Sequence, residues 1–258
     1  MSNTKSLLIV EGEKAEYRFF QHMGKMFGLD FVIFPLKDNL YVLYKKLKDD
    51  DFNVNVKSIL LEMFPEKKEI LDETYAFTYL IFDLDPHHTE NNEKREYGEI
   101  IESNIEHALE MTEFFQDETD PTIGKIYINY PMFESFRYCN SIFDEDYKEE
   151  YIGIEDTRYF KKYAGKKKMV RKHIENYLKE DFLSLSKMNI YKLSCLFSGN
   201  WESLDYLLYQ KYSGASGILR KQREQIDSLR QIAVLNTSLF VLVDYYGNRD
   251  GFYEKNFM

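Results

Sequence analysis

Cysteine, tryptophan, proline and glycine are all scarce in this chain of 258 residues, at two, one, five and twelve. Cys139 and Cys195 are too few for a disulfide framework or a zinc ribbon. Proline and glycine fall below the roughly 5% and 7% of ordinary globular chains, so helices should run long and no breaker-rich linker marks a domain boundary. No internal repeat or low-complexity tract is present. Long apolar runs are missing too: the strongest, Leu239–Val243, falls far short of the ~20 residues of a membrane helix. The apolar stretch after Lys5 stops at Glu11, which does not read as a secretory signal. These absences lead us to expect a cytoplasmic protein with no membrane association. Positive charge is also in deficit, with 34 Lys and Arg against 44 Asp and Glu, a net charge of −10. Phosphate contacts dominate nucleic-acid affinity, so this balance argues against a constitutive, tight nucleic-acid binder.

What is present is a well-supplied core. Hydrophobic residues make up 44% and aromatics 16% of the chain, which excludes a disordered polymer. A single chain of this length buries roughly 70–75% of its unfolded surface. Three apolar runs read as buried strands, each followed by turn chemistry and a helical pattern. Ser6–Val10 leads through Glu11 and Gly12 into a helix over Glu13–Phe27. Tyr75–Asp83 ends in Asp83-Leu84-Asp85-Pro86, and a later helix carries Ile101, Ile105, Ala108, Leu109 and Phe115. Ile123–Asn129 ends in Tyr130-Pro131, with a helix expected from Met132, and Phe31–Phe34 is a fourth strand. Alternating strands and helices predict an α/β fold, a mainly parallel sheet flanked by helices. Sites in such sheets form at the carboxyl ends of the strands, where Glu11, Asp83, Asp85 and Asn129 fall.

The pattern changes near residue 144. Asp144–Glu150 holds five acids in seven residues, and Lys161–His173 holds seven Lys and Arg with no acid. We therefore expect a catalytic domain over 1–143 and a mostly helical appendage over 144–258. Within the appendage, Ile226, Leu229 and Ala233 recur at helical spacing, and Ser238–Tyr246 could return to the sheet as a strand or pack as a terminal element.

Two acidic clusters carry chemistry. Glu11 leaves a strand into a turn where Gly12 lets the backbone bend, and Glu16 sits one helical turn on, able to point back. Acids at a helix start also simply suit its dipole. Asp83 and Asp85, two apart in extended chain, face the same way and repel unless a cation neutralises them. Oxygen-only donors suit Mg²⁺ or Mn²⁺ rather than zinc. His87 and His88 read as exposed loop residues outside the site.

LLIVEGEKAEYRFF and YLIFDLD, in this order, resemble the Glu-Gly and Asp-x-Asp motifs of the Toprim fold. The spelling EGEKAE is similar to the RloB-like branch, related to the OLD-type (overcoming lysogenization defect) nucleases of bacterial antiviral defence and abortive infection. Asn129-Tyr130-Pro131-Met132-Phe133-Glu134-Ser135-Phe136 resembles that branch's Asn-Pro-x-Phe-Glu block, with Tyr130 inserted and Ser135 following the Glu. The matches cover roughly residues 5–140. The resemblance implies a Mg²⁺-dependent or Mn²⁺-dependent endonuclease cleaving DNA or RNA, tRNA included. It implies Glu11 as acid/base or metal ligand, Asp83 and Asp85 as catalytic metal ligands, and Glu16 and Glu134 as further metal ligands. A nearby lysine is implied as well, Lys162 or Lys166, with Lys162 carried as the catalytic candidate.

Lys161, Lys162, Lys166, Lys167, Lys168, Arg171 and Lys172 form a candidate phosphate-binding segment, interleaved with Tyr159, Phe160 and Tyr163. The same segment also reads as a solvated face balancing the preceding acids. OLD-type enzymes carry their own ATPase, but no GxxxxGK[ST] occurs here, so the resemblance implies a separate ABC/OLD-type ATPase partner. Self-association is left open. Two other readings compete: a non-catalytic regulatory subunit with a vestigial cleft, and a nucleotide-sugar transferase using Asp-x-Asp to hold a metal diphosphate.

Overall fold

The computed structural model describes residues 4–89, 95–120, 122–139, 145–166 and 173–258. In chain order its elements are β1 (Ser6–Val10), α1 (Ala15–Phe27), β2 (Phe31–Pro35), α2 (Leu40–Asp49), α3 (Val56–Met63), the short α4 (Lys68–Leu71) and β3 (Phe77–Asp83). Then follow α5 (Tyr97–Phe114), β4 (Gln116–Asp117), β5 (Gly124–Asn129), β6 (Tyr151–Gly153), α6 (Phe160–Ala164) and α7 (Lys179–Ser198). The chain ends with α8 (Tyr206–Tyr212), α9 (Ala215–Leu229), β7 (Gln231–Ala233), α10 (Phe240–Tyr246) and α11 (Phe252–Phe257).

Five strands form the main sheet in the order β2-β1-β3-β5-β4. β1 lies parallel to both β2 and β3, with Leu8 opposite Ile33 and Tyr79, and β4 pairs antiparallel with β5. The fold is therefore α/β, built on a mainly parallel sheet flanked by helices. Burial explains the strand sequences. Every residue of β1 is buried, which is why it reads as an unbroken apolar run rather than an alternating one. Gly124 opens β5 at φ 86°, and a Cβ there would come within 3.0 Å of the Thr78 carbonyl, so the close approach of β5 to β3 requires glycine.

The chain forms two compact units, 1–82 with 106–127, and 83–105 with 128–258. The first contains α1, whose Phe19, Phe20 and Met23 are buried and whose end is stopped by Gly28 at φ 69°. Asn39 and Asn55 cap α2 and α3 through their side-chain oxygens. The second unit packs Phe182, Met188, Leu193, Phe240, Val241, Leu242 and Tyr253 into a core. It also holds the antiparallel pair β6-β7, extended sideways by the buried Gln222. The Gln222 amide exchanges two hydrogen bonds of 2.9 Å with the backbone of Ala233, as a neighbouring strand would.

Several expectations need correction. Ser238–Tyr246 is not a strand: Thr237–Leu239 is a 3₁₀ turn and Phe240–Tyr246 is α10. A short, fully buried apolar run has the same composition in either state, and periodicity cannot separate them. The helix expected from Met132 is present over Phe133–Tyr138, with Met132 at its N-cap, but it is 3₁₀ rather than α. The region after 144 is mostly helical, as expected, and the short strands β6 and β7 are the addition. The Ile226, Leu229, Ala233 pattern straddles two elements; Arg230 turns left-handed, Leu229 faces solvent, and Ala233 belongs to β7. The strand of the Asp-x-Asp motif starts at Phe77, and Tyr75 instead donates its hydroxyl to the Ile70 carbonyl at 2.7 Å.

Candidate active site

The Asp-x-Asp segment is fastened by backbone. Leu84 N–H donates to the Asn129 carbonyl at 3.1 Å, joining the carboxyl ends of β3 and β5. Asp83, at the end of β3, is 4% exposed. Its Oδ1 accepts the Phe133 N–H at 2.7 Å and, more weakly, the Asn129 Nδ2 at 3.4 Å. Asn129 in turn accepts the Ser238 N–H at 3.2 Å. Asn236 extends this buried polar chain by donating to the Phe133 carbonyl at 2.7 Å and drawing its own N–H to Asn189 at 2.8 Å. Tyr147 donates to the same Asn189 oxygen at 2.8 Å. Asp83 is thus an anchor for the loop beginning at Met132. Asn189, Asn236 and Ser238, which hold that anchor, lie in stretches of ordinary helical or apolar pattern that gave no sign of the role.

Asp85 is held differently. Its φ of 36° is in the left-handed region, uncommon for a side-chain-bearing residue, and its carbonyl accepts the His88 N–H at 2.9 Å in a tight turn. Its carboxyl Oδ1 is shut off from solvent and makes no hydrogen bond. Glu134, half-buried in the 3₁₀ turn after β5, has its Oε2 in the same condition. The two acids feel each other. Burial pushes the Asp85 carboxyl up to about 6; Lys161 and His88 draw it down, and Glu134 pushes it further up.

The loop continues against the segment Ile154–Tyr159, where His87 Nδ1 lies 3.3 Å from Thr157 Oγ1. Burial lowers the affinity of His87 for a proton, and the neighbouring His88, Arg158 and Lys161 charges lower it further. His88 therefore borders Asp85 and His87 packs against Thr157, although the polar loop around them read as exposed. Adjacent histidines give no periodic signal, and only the fold brings Thr157 to meet them.

Among the described lysines, Lys161 lies within electrostatic reach of Asp85. Lys162 and Lys166 are exposed on and just after α6. Lys167, Lys168, Arg171 and Lys172 lie outside the described residues. Glu11 and Glu16 belong to the first unit. The Glu11 backbone is tied to the Ile81 carbonyl and the Lys37 N–H, each at 3.1 Å. Glu16 folds its carboxylate back over Gly12, so that a Cβ on Gly12 would collide with it.

Among the described residues, no three His, Cys, Asp or Glu side chains stand together in a way that could hold a metal ion. The donor set that does fit a cation is the Asp85–Glu134 pair, with its two unpartnered oxygens. Mg²⁺ suits such a pair, since it commonly binds one or two carboxylates and completes its shell with water and phosphate oxygens. No helix among the described residues is long and apolar enough to cross a membrane. No protein-family model matches the chain, and neither a curated protein nor a solved structure is similar enough to it to count as a match.

Proposed function

We propose that this protein is a divalent-cation-dependent phosphodiesterase acting on nucleic acid, the endonuclease class that its motifs resemble. The observation that carries the reading is the pair Asp85 and Glu134. Each keeps one carboxylate oxygen buried and without a hydrogen bond, a costly arrangement unless a cation or a proton is the intended partner. A divalent cation held there would supply Lewis acidity toward a phosphate oxygen or a water. The chain's own residues have separate tasks. Asp83 fixes the loop through Phe133 N–H, Asp85 and Glu134 offer their carboxylates, and Lys161 places positive charge where a phosphate would approach. The motif resemblance, rather than this geometry, assigns acid/base or ligand roles to Glu11 and Glu16. It also suggests a defence role under a separate ATPase partner.

The test is calorimetric titration of Mn²⁺ and Mg²⁺ into the protein and its D85N and E134Q variants. It is paired with cleavage assays on plasmid, single-stranded DNA and total RNA, with and without Mg²⁺. Metal binding and cleavage that are both lost in the variants support the reading. Cleavage that persists in D85N and E134Q removes it. A second reading is a non-catalytic binding subunit, since among the described residues no three-residue ligand cluster stands together. No metal binding and no cleavage by the wild type would select it.

A further inference from the structure

The segment from Ile154 to Ala164 bears side chains that the carboxylate pair does not use. Tyr159 is 45% exposed and Tyr163 37%, two of the few large rings left open to solvent among the described residues. Their centroids lie 6.4 Å apart at an interplanar angle of 56°, and the Arg158 guanidinium sits 4.8 Å over the Tyr159 ring. The segment beneath them is fixed. Phe160 is fully buried and stacks on Tyr138 at 4.9 Å and 8°, and the buried Thr157 donates to the Ile154 carbonyl at 2.8 Å. The exposed rings are therefore presented by an anchored element.

The charge around them is positive. From Glu155 to Lys166 four cations, Arg158, Lys161, Lys162 and Lys166, face two acids, and Glu155 is already ion-paired with Arg230. Lys161 joins this strip to Asp85.

We propose that Tyr159 and Tyr163, with Arg158, Lys161 and Lys162, form a stacking platform for unpaired nucleotides, which makes single-stranded nucleic acid the substrate class. This rests on the phosphodiesterase reading above. Exposed rings offer a face to any base, while the cations take the phosphates, the combination that single-strand binding uses. Base faces within a duplex are covered by their neighbours and present no surface to a tyrosine. Rings inclined at 56° cannot continue a regular stack, so each takes its own base and the strand bends between them. A flexible single strand, or an unpaired loop, can adopt that path.

The test is fluorescence anisotropy with labelled oligo-dT, oligo-U and a duplex of mixed sequence, all in EDTA, so that binding is read apart from cleavage. The full-length wild type is compared with Y159A/Y163A and Y159F/Y163F. Single strands should bind more tightly than duplex. The double alanine variant should lose roughly tenfold or more per ring removed, while the double phenylalanine variant stays close to wild type. Comparison of the dT and U arms separates DNA from RNA. Equal binding by wild type and the alanine variant, equal or tighter duplex binding, or no binding of any oligonucleotide each overturns the platform. Ring-independent binding with Mg²⁺-dependent cleavage retained sinks the platform alone. Ring-dependent binding without cleavage supports it and sinks the phosphodiesterase reading instead.

Discussion

The Asp83 carboxylate accepts the backbone N–H of Phe133 at 2.7 Å, across fifty residues of sequence. The bond is charge-assisted and buried, and it holds the start of the turn that carries Glu134. Replacing Asp83 by alanine strands a buried N–H, which costs about 1–3 kcal/mol. D83A should lower the urea midpoint accordingly, and D83N, which keeps an acceptor oxygen, should recover part of that loss. Equal midpoints for the three proteins would show that Asp83 does not anchor the loop.

Asp85 should behave in the opposite way. Its folded-state pKa is raised to about 6 from the ordinary 3.8, so folding favours the protonated carboxyl. Its contribution to stability is full below about pH 4 and is lost as pH rises through about 6. In metal-free buffer at pH 7.5, D85N should therefore be more stable than wild type, by roughly 1–3 kcal/mol. It should also show a flatter stability profile between pH 4 and 6, while losing cleavage. Chemical denaturation across that range tests this, and a destabilised D85N would contradict it.

Lys192 makes a third case. This α7 lysine is 1% exposed and donates to the carbonyls of Tyr147, Lys148 and Glu150 at 3.2, 2.6 and 3.0 Å. Its ammonium also lies 4.1 Å from the Tyr151 ring centroid. Burial pushes its pKa down to about 8 from 10.5, which costs on the order of 3 kcal/mol at neutral pH. Removal would take the donor from the Lys148 carbonyl at about 1–3 kcal/mol, while the Tyr147 and Glu150 carbonyls keep the N–H groups of Glu150 and Val234, so the lost bond and the relieved charge nearly cancel. K192M should therefore lie close to wild type at pH 7. Because the folded pKa is depressed, the wild type should gain stability relative to K192M as pH rises from about 8 toward 10. A stability difference that does not change over this range would refute the assignment.

Gly12 offers a test of Glu16. A methyl group there meets only the mobile end of the Glu16 side chain. G12A should shift thermal stability by less than about 1 kcal/mol while displacing the Glu16 carboxylate. If Glu16 serves catalysis, cleavage should fall about as far in G12A as in E16Q. Full activity in both would remove Glu16 from the site.

β1 and β3 were legible from the sequence because they are buried on both faces: Leu7–Val10 and Tyr79–Phe82 stand out as unbroken apolar runs between polar residues. The same property hid α10, since Phe240–Tyr246 is equally apolar and equally buried. Asp83 and Asp85 were legible as a pair from their spacing, but their division of labour was not. It depends on Phe133 N–H reaching one carboxylate and no donor reaching the buried oxygen of the other. Lys161 could not be singled out from its neighbours in a run of cations without the fold. Lys192 gave no signal at all, because three carbonyl acceptors leave no trace in side-chain composition.

Phe160 fixes the 154–164 segment from below while Tyr159 and Tyr163 face outward, and the acids at 83, 85 and 134 hang from a different backbone network. On the proposed reading the stacking rings and the carboxylates are thus written on separate stretches of chain, with Lys161 common to both. Variants at 159 and 163 would then change which strand is held, and how strongly, without disturbing the groups proposed to cut it. That separation is what a lineage would need to change targets while keeping one reaction.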